Sequence, residues 1–180
     1  MRGTARAVRA VAEALPFASH CVNAVLGVLT IHHWSDVARG LAECQRVARE
    51  RIVLLTWDPN ATNFWLVSDY FPQILDHART IFPSLDKLQQ LLGPTRIESV
   101  PILSDCVDGF LGAYWKRPDA YLNAVVRQGM SAFALIEDVE PTLARLQRDL
   151  ASGAWHRRNH ALLDLDALDL GYRLVIAERP

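Results

Sequence analysis

Residues 12–34 read AEALPFASHCVNAVLGVLTIHHW, and the second half of this stretch decides the fold. Its residues 21–31, CVNAVLGVLTI, are almost continuous in Val, Leu and Ile and carry no charge. Such a run is typical of a strand buried on both faces, as in a parallel sheet that helices cover. Two histidines and a tryptophan follow directly, so polar aromatic rings are expected just beyond the end of this strand.

The next residues predict a helix and a second strand. Ser35 or Asp36 can cap a helix whose apolar residues recur at helical spacing. An apolar strand, Arg51–Trp57, follows after very few residues, and Pro59 closes the run. A helical crossover between two strands of one sheet makes the strands parallel, and the crossover is almost always right-handed.

The rest of the chain predicts one further helix, two strands and an insertion. Residues 84–93, SLDKLQQLLG, carry a serine that can cap the helix and a glycine that can end it. Strands are predicted at Thr95–Ile102 and Gly171–Ala177, with a helical insertion at residues 105–169 between them. No Gly- or Ser-rich linker separates these parts, so residues 1–180 are expected to form a single α/β domain.

Composition narrows the classes of function. The 180 residues are 51% hydrophobic and 22% charged, with a formal net charge of -1 and no basic stripe that could bind nucleic acid. The three cysteines lie far apart without a C-x-x-C motif, which argues for buried, reduced thiols and against a metal site. No segment is apolar for long enough to cross a bilayer. We therefore expect a cytoplasmic protein without nucleic-acid or membrane partners.

Several segments, taken in order, resemble a known family. The segments AEALPF, the buried strand, HHW, ECQRVARE and the following strand resemble the middle of class I S-adenosylmethionine-dependent methyltransferases of the type 11-like group. The resemblance implies a partial Rossmann-like sheet with helices on both faces and an antiparallel pair formed by its last two strands. It also implies a glycine-rich loop before AEALPF, but no G-x-G occurs in this sequence. The chain is therefore expected to be truncated at its amino terminus, with an incomplete cofactor site.

The resemblance also implies which residues meet S-adenosylmethionine. The expected cofactor contacts are Ala12, Glu13, Gly27, Val28 and Leu29, and the expected catalytic residues are His32 and His33. Glu13 could instead be an ordinary exposed turn residue. One histidine is expected to line the cleft as a base or polar contact, while the other packs on Trp34 or caps the next helix. Adjacent side chains point in different directions, so no shared metal ion is expected.

Aromatic residues beyond the second strand are candidates for the substrate pocket. The expected substrate contacts are Trp57, Asp58, Phe64, Trp65 and Tyr70, together with Tyr114 and Trp115 in the insertion. Aromatic faces exclude water and attract cations, which suits transfer of a sulfonium methyl group. The competing interpretation is that these rings form hydrophobic core.

Together these features predict methyl transfer to a small-molecule acceptor. The alternative is a catalytically inactive, methyltransferase-derived binding or scaffold protein. In the resembling family, further strands lie beside the strand Val22–Val28, and this sequence does not contain them. Because an open, uncharged strand edge favours pairing, we expect it to join another chain, as in a homo-oligomer, or to be covered by Thr4–Ala14.

Overall fold

The computed structural model describes residues 7–178, which form two compact units. The first unit contains the chain up to Trp57, Ile81–Glu98 and the residues from Arg173 onward. The second unit contains Asp58–Thr80 and Ser99–Tyr172. The strands are β1 (Val22–Val28), β2 (Ala48–Trp57), β3 (Thr95–Ser99), β4 (Ile102–Leu103), β5 (Ala167–Leu168) and β6 (Tyr172–Glu178). The α-helices are α1 (Val37–Val47), α2 (Pro72–Ile81), α3 (Leu85–Leu92), α4 (Ala124–Gln128), α5 (Glu140–Ala151) and α6 (Ala154–Asn159).

The strand–helix–strand unit predicted from the sequence is confirmed. Helix α1 begins after Asp36, whose side chain accepts a hydrogen bond from the Arg39 backbone N–H (3.0 Å). Strand β1 pairs in parallel with β2 along its length, from Val22 opposite Ala48 to Val28 opposite Leu55. Strand β2 begins at Ala48 rather than at the predicted Arg51, because pairing with the start of β1 extends it into a polar stretch.

Four strands form one sheet in the order β1-β2-β6-β3, so the four predicted strands do share a sheet. The predicted strand Thr95–Ile102 is too long, because β3 ends at Ser99. Ile102 instead pairs with Leu168 in a separate antiparallel ribbon of β4 and β5. Pro101 lies at the break, and proline cannot donate a hydrogen bond to a ladder. The antiparallel orientation of β3 and β6 stays a prediction.

The core of the first unit lies between the sheet and helices α1 and α3. Ile52 and Leu54 of β2 pack with Leu41 of α1 and Leu88 of α3, and all four are at most 1% exposed. Cys44 of α1 belongs to the same cluster, and its burial raises the pKa of the thiol to about 11. Cys44 is thus the buried apolar thiol that the sequence predicted. Cys21 is exposed and Cys106 half-buried, so that prediction fails for them.

The second unit is built around hydrogen-bonded tryptophans. Trp65 donates its indole N–H to the Trp115 carbonyl oxygen (2.8 Å), and Trp115 donates its own to the Ile102 carbonyl oxygen (2.9 Å). Short helical segments dominate residues 105–169, as expected: the 3-10 turns Pro118–Leu122, Ser131–Leu135 and His160–Leu162 accompany α4, α5 and α6. A π-helical turn, Leu66–Tyr70, precedes α2. In residues 7–178, every helix is too short or too polar to traverse a bilayer.

Trp34 packs against α1 at Gly40, and this contact requires glycine. A Cβ added at Gly40 would lie 2.5 Å from Cε3 and 2.9 Å from Cζ3 of the Trp34 ring. Real Cβ atoms do not approach so closely, so the indole fits on the helix only because position 40 lacks a side chain.

We predict that Gly40→Ala lowers the free energy of unfolding, by roughly 1 kcal/mol net. Overpacking costs about 1–3 kcal/mol, which exceeds the gain of up to about 1 kcal/mol in helix propensity. In a Trp34→Ala background the clash is gone, so the same substitution should stabilise the protein. Urea unfolding of the parent chain, the two single variants and the double variant measures the effect of Gly40→Ala in both backgrounds. Stabilisation by Gly40→Ala in both backgrounds would contradict the packing account.

Candidate functional site

The carboxyl ends of β1 and β2 lie side by side in the first unit. Val28 pairs with Leu55, and the Leu29 backbone N–H donates to the Leu55 carbonyl oxygen (2.9 Å). A 3-10 turn, Ile31–His33, follows β1, and Trp57 is the last residue of β2. Ligands of open α/β sheets bind outside the carboxyl ends of the strands, so this edge is the candidate site.

Four rings form a row along this edge, which we call the aromatic row: His33, His32, Phe82 and Trp57. The ring centroids of His33 and His32 are 3.9 Å apart, and those of His32 and Phe82 are 4.1 Å apart with nearly parallel planes (28°). Phe82 meets Trp57 edge to face at 5.7 Å. Three of these rings were candidates from the sequence, whereas Phe82 was missed because it lies between α2 and α3, far along the chain.

His32 is the most perturbed group of the aromatic row. Its ring is half-buried, and its Nδ1 is buried without a hydrogen-bond partner among the described residues. Burial, followed by repulsion from His33, lowers the pKa of His32 from 6.5 to about 4. The imidazole is therefore neutral at pH 7. His33 is exposed, and its ring plane is tilted by 45° from that of His32.

Glu13 is tied to the start of α1. Its Oε1 accepts hydrogen bonds from the Ser35 hydroxyl (2.9 Å) and the Asp36 backbone N–H (3.0 Å). Arg39 Nε donates to the Glu13 carbonyl oxygen (2.9 Å). The hydrogen bonds to the carboxylate, that from the Asp36 N–H above all, lower the pKa of Glu13 to about 2. Glu13 is thus no ordinary turn residue, and its contact with a cofactor, like that of Ala12, stays a prediction.

The turn that follows Glu13 is held against α1 by one ion pair. Arg46 and Glu43 lie 2.6 Å apart, and Glu43 Oε2 accepts the Leu15 backbone N–H (2.8 Å). Arg46 also donates to the carbonyl oxygens of Phe17 (2.7 Å) and Leu15 (3.0 Å). The Arg46 guanidinium and the Leu15 N–H lower the pKa of Glu43 to about 2. These contacts hold the turn that follows Glu13 against α1.

The other predicted cofactor residues, Gly27, Val28 and Leu29, end β1. A Cβ at Gly27 would lie 2.9 Å from Leu54 Cδ2, so the glycine makes room for the core beneath the sheet. Val28 is 53% exposed. Leu29 has a φ of 45°, a left-handed conformation that leucine rarely adopts, and there the chain leaves the strand for the 3-10 turn. Backbone strain of this kind often accompanies ligand sites.

The predicted substrate residues of the second unit are largely interior. Phe64, Trp65 and Trp115 are at most 3% exposed. Asp58 accepts the Asn60 backbone N–H (3.0 Å) within a turn. Tyr114 is half-buried, with the Arg117 guanidinium over its ring at 4.8 Å. These surroundings favour the core interpretation for the three buried rings, and their contact with a substrate stays a prediction.

Tyr70, another of these candidates, belongs to a polar cluster. Its hydroxyl donates to Asp149 Oδ2 (2.6 Å), and Arg158 donates both to the Tyr70 hydroxyl (2.6 Å) and to Asp149 Oδ2 (2.7 Å). The Arg145 guanidinium lies 4.6 Å from the centre of the ring. Burial and the Asp149 carboxylate raise the pKa of Tyr70 to about 12. The hydroxyl thus stays protonated and locks α5 and α6 to the π-helical turn.

Comparison with known proteins gives two kinds of match. A family profile described as "Methyltransferase domain" matches residues 2–55, which include β1, α1 and most of β2. A crystal structure from Anabaena variabilis ATCC 29413, assigned as a methyltransferase from an antibiotic biosynthesis pathway, is 36% identical with a TM-score of 0.86. The match covers 92% of this chain and 70% of that one. No curated protein matches the chain.

Two further solved structures are more distant. The YcgJ protein from Bacillus subtilis is 18% identical with a TM-score of 0.45, over 94% of this chain and 69% of that one. A protein from Bacillus halodurans C-125, also assigned as a methyltransferase, is 12% identical with a TM-score of 0.48. The match covers 96% of this chain and 70% of that one. Of these three proteins, the Anabaena protein has the identity and coverage that show the family. The ordered motifs, the family profile and this likeness lead to one conclusion: the chain belongs to the class I S-adenosylmethionine-dependent methyltransferase family.

Proposed function

We propose that the chain serves methyl transfer from S-adenosylmethionine to a small-molecule acceptor, at the carboxyl ends of β1 and β2. The observation that carries the proposal is the aromatic row, in which a neutral histidine stacks on Phe82 beside Trp57. When bound, S-adenosylmethionine supplies an electrophilic methyl group on a sulfonium ion.

The residues of the site fit such a cofactor in part. Electron-rich aromatic faces attract cations, so Trp57 and Phe82 suit a sulfonium group. The turn held by Glu43 and Arg46 offers a rigid backbone for the flat adenine ring. The sequence contains no G-x-G loop that would pair with the polar ends of the cofactor. We therefore assign the cofactor's contacts in this chain to Ala12, Glu13, Gly27, Val28 and Leu29.

His32 has a defined role in this proposal. A doubly protonated imidazole would bury an unpaired N–H at Nδ1, which explains why the ring resists protonation. In the neutral tautomer that leaves Nδ1 without a proton, Nε2–H can donate a hydrogen bond to the acceptor's oxygen or nitrogen at pH 7. With a pKa of about 4 it is a weak base, so it orients the acceptor and does not strongly deprotonate it. His33, exposed to water, is the other predicted catalytic residue.

We predict that the 180-residue chain binds S-adenosylmethionine only weakly, with a dissociation constant near the millimolar range. Each polar cofactor group left without a partner costs about 1–3 kcal/mol, and each 1.4 kcal/mol is roughly tenfold in affinity. Ligand-detected NMR measures binding of this strength. Tight, micromolar binding by the monomeric chain would contradict the expectation.

We predict that Phe82→Ala removes this residual binding, because it takes the central ring out of the aromatic row. Val125→Ala is the matched control, since Val125 is 73% exposed and lies in the second unit. Circular dichroism checks that both variants fold. If the Phe82→Ala variant binds S-adenosylmethionine as strongly as the parent chain does, the cofactor site lies elsewhere. Methyl transfer absent from a chain that binds cofactor and candidate acceptors would favour the alternative, a methyltransferase-derived binding protein.

We predict that the pH dependence of stability reports on His32. Its pKa of about 4 in the folded chain lies below the ordinary value of 6.5, so the unfolded chain binds more protons between these values. The free energy of unfolding should therefore fall as the pH drops from about 7 to 5. His32→Phe keeps a stacked ring and should flatten this slope, whereas His77→Phe, at an exposed position on α2, should not. Urea unfolding at pH 7 and 5 measures the slopes, and equal slopes for His32→Phe and the parent chain would exclude the assignment.

A further inference from the structure

We propose that Trp34 is a positioning residue, which holds His32 at the carboxyl edge of the sheet through the turn that joins β1 to α1. This role rests on the proposed function, because it concerns the imidazole that is assigned there to the acceptor. Trp34 is not one of the four rings of the aromatic row, so its effect on His32 passes through the backbone and packing of the turn.

The 3-10 turn Ile31–His33 is anchored on one side only. A 3-10 helix has three residues per turn, so residues i and i+3 lie on the same side. Ile31 is 1% exposed and belongs to the core cluster of the first unit, and Trp34, three residues later, packs against the same cluster. His32 and His33 lie between these two anchors and join the aromatic row. The two anchors therefore set the direction in which the histidines point.

The Trp34 side chain also closes this turn across its length. The indole N–H donates to the Thr30 hydroxyl (3.4 Å), and Thr30 and Trp34 are the residues that flank the 3-10 turn. Two backbone hydrogen bonds lie within this closure, from the His33 N–H to the Thr30 carbonyl oxygen (2.9 Å) and from the Trp34 N–H to that of Ile31 (3.2 Å). Because so short a turn has few hydrogen bonds of its own, the indole restricts the backbone that carries His32.

Helix α1 fixes the face of the indole. Gly40 is buried, and a Cβ there would lie 2.5 Å from the Trp34 ring, so the ring rests directly on the helix backbone. The helix is held in turn by Leu41 and Cys44, which are buried in the core cluster. Since interiors are close-packed, the turn cannot rotate without driving the indole into α1 or opening a gap beside it. Trp34 thus ties the turn to the most firmly packed helix of the first unit.

The surroundings of His32 depend on this placement. Its ring lies 4.1 Å from that of Phe82, and its Nδ1 is buried without a hydrogen-bond partner among the described residues. The charge that acts on it is that of His33 on the same turn, while Phe82 on the other side carries none. Burial is the main cause of its low pKa. The pKa of His32 therefore measures how closely the turn holds the imidazole against Phe82.

An NMR titration of the His32 imidazole, in the chain without ligand, tests this role. Trp34→Ala frees the turn and lets water reach the ring, so the pKa should rise from about 4 toward 6.5, an increase of about tenfold or more in proton affinity. Trp34→Phe keeps a ring against Gly40 and should keep the pKa low. Gly40→Ala displaces the indole without removing it and should raise the pKa as well. Leu91→Ala, which removes a partly buried side chain of the same core from α3, is the matched control and should leave the pKa low.

Circular dichroism identifies a variant that fails to fold, and the remaining one of Trp34→Ala and Gly40→Ala then decides. An unchanged pKa of His32 in a folded variant of this pair would overturn the proposal, because the turn would hold the imidazole without the indole. An equal rise in Leu91→Ala would overturn it too, since general loosening of the core would then explain the change. A parent chain that neither binds S-adenosylmethionine nor transfers a methyl group would refute the proposed function, but it would not alter these titrations, so the two failures are distinguishable.

Discussion

The parallel pairing of β1 with β2 is the constraint on which the described site depends. Helix α1 returns the chain to the starting end of the sheet, so β2 runs in the same direction as β1 and both strands finish at one edge. Only that geometry brings His32, which follows β1, and Trp57, which ends β2, into one aromatic row with Phe82 between them. A register shift of one residue would turn Ile52 and Leu54 out of the core, so the same burial that stabilises the unit also sets the position of the rings.

Helix α1 does more than connect the strands. Irregular backbone has polar groups that need partners, and Arg46 supplies donors to two carbonyl oxygens of the turn before β1. Glu13, in return, accepts the Asp36 N–H at the start of the helix. An ion pair near the surface, such as the half-buried Glu43–Arg46 pair, contributes little stability by its Coulomb energy alone. Its effect here is positional, since it fixes the turn that the family resemblance assigns to the cofactor.

The candidate site shows which residues the sequence could place at the sheet edge. Trp57 ends one predicted strand, and His32 comes shortly after the other. Phe82 could not be placed there, since it reaches the same edge only through the packing of distant elements. For Trp65 and Trp115 the sequence left a substrate pocket and a hydrophobic core as alternatives, and the structure shows both as hydrogen-bonded interior residues. Whether a ring is buried depends on the residues that pack around it, and the sequence alone does not show which residues those are.

The sequence by itself determined the strand–helix–strand unit, the capped helices and the family. These follow from local causes: the apolar run of β1, the cap at Asp36, the helix end at Gly93, and the order of motifs around HHW. Tertiary structure alone decided that Glu13 binds the start of α1, that His32 loses its proton affinity through burial, and that Ile102 leaves the main sheet to pair with Leu168. Each of these depends on contacts between residues far apart in the chain, because burial and pairing arise only when separate segments pack together.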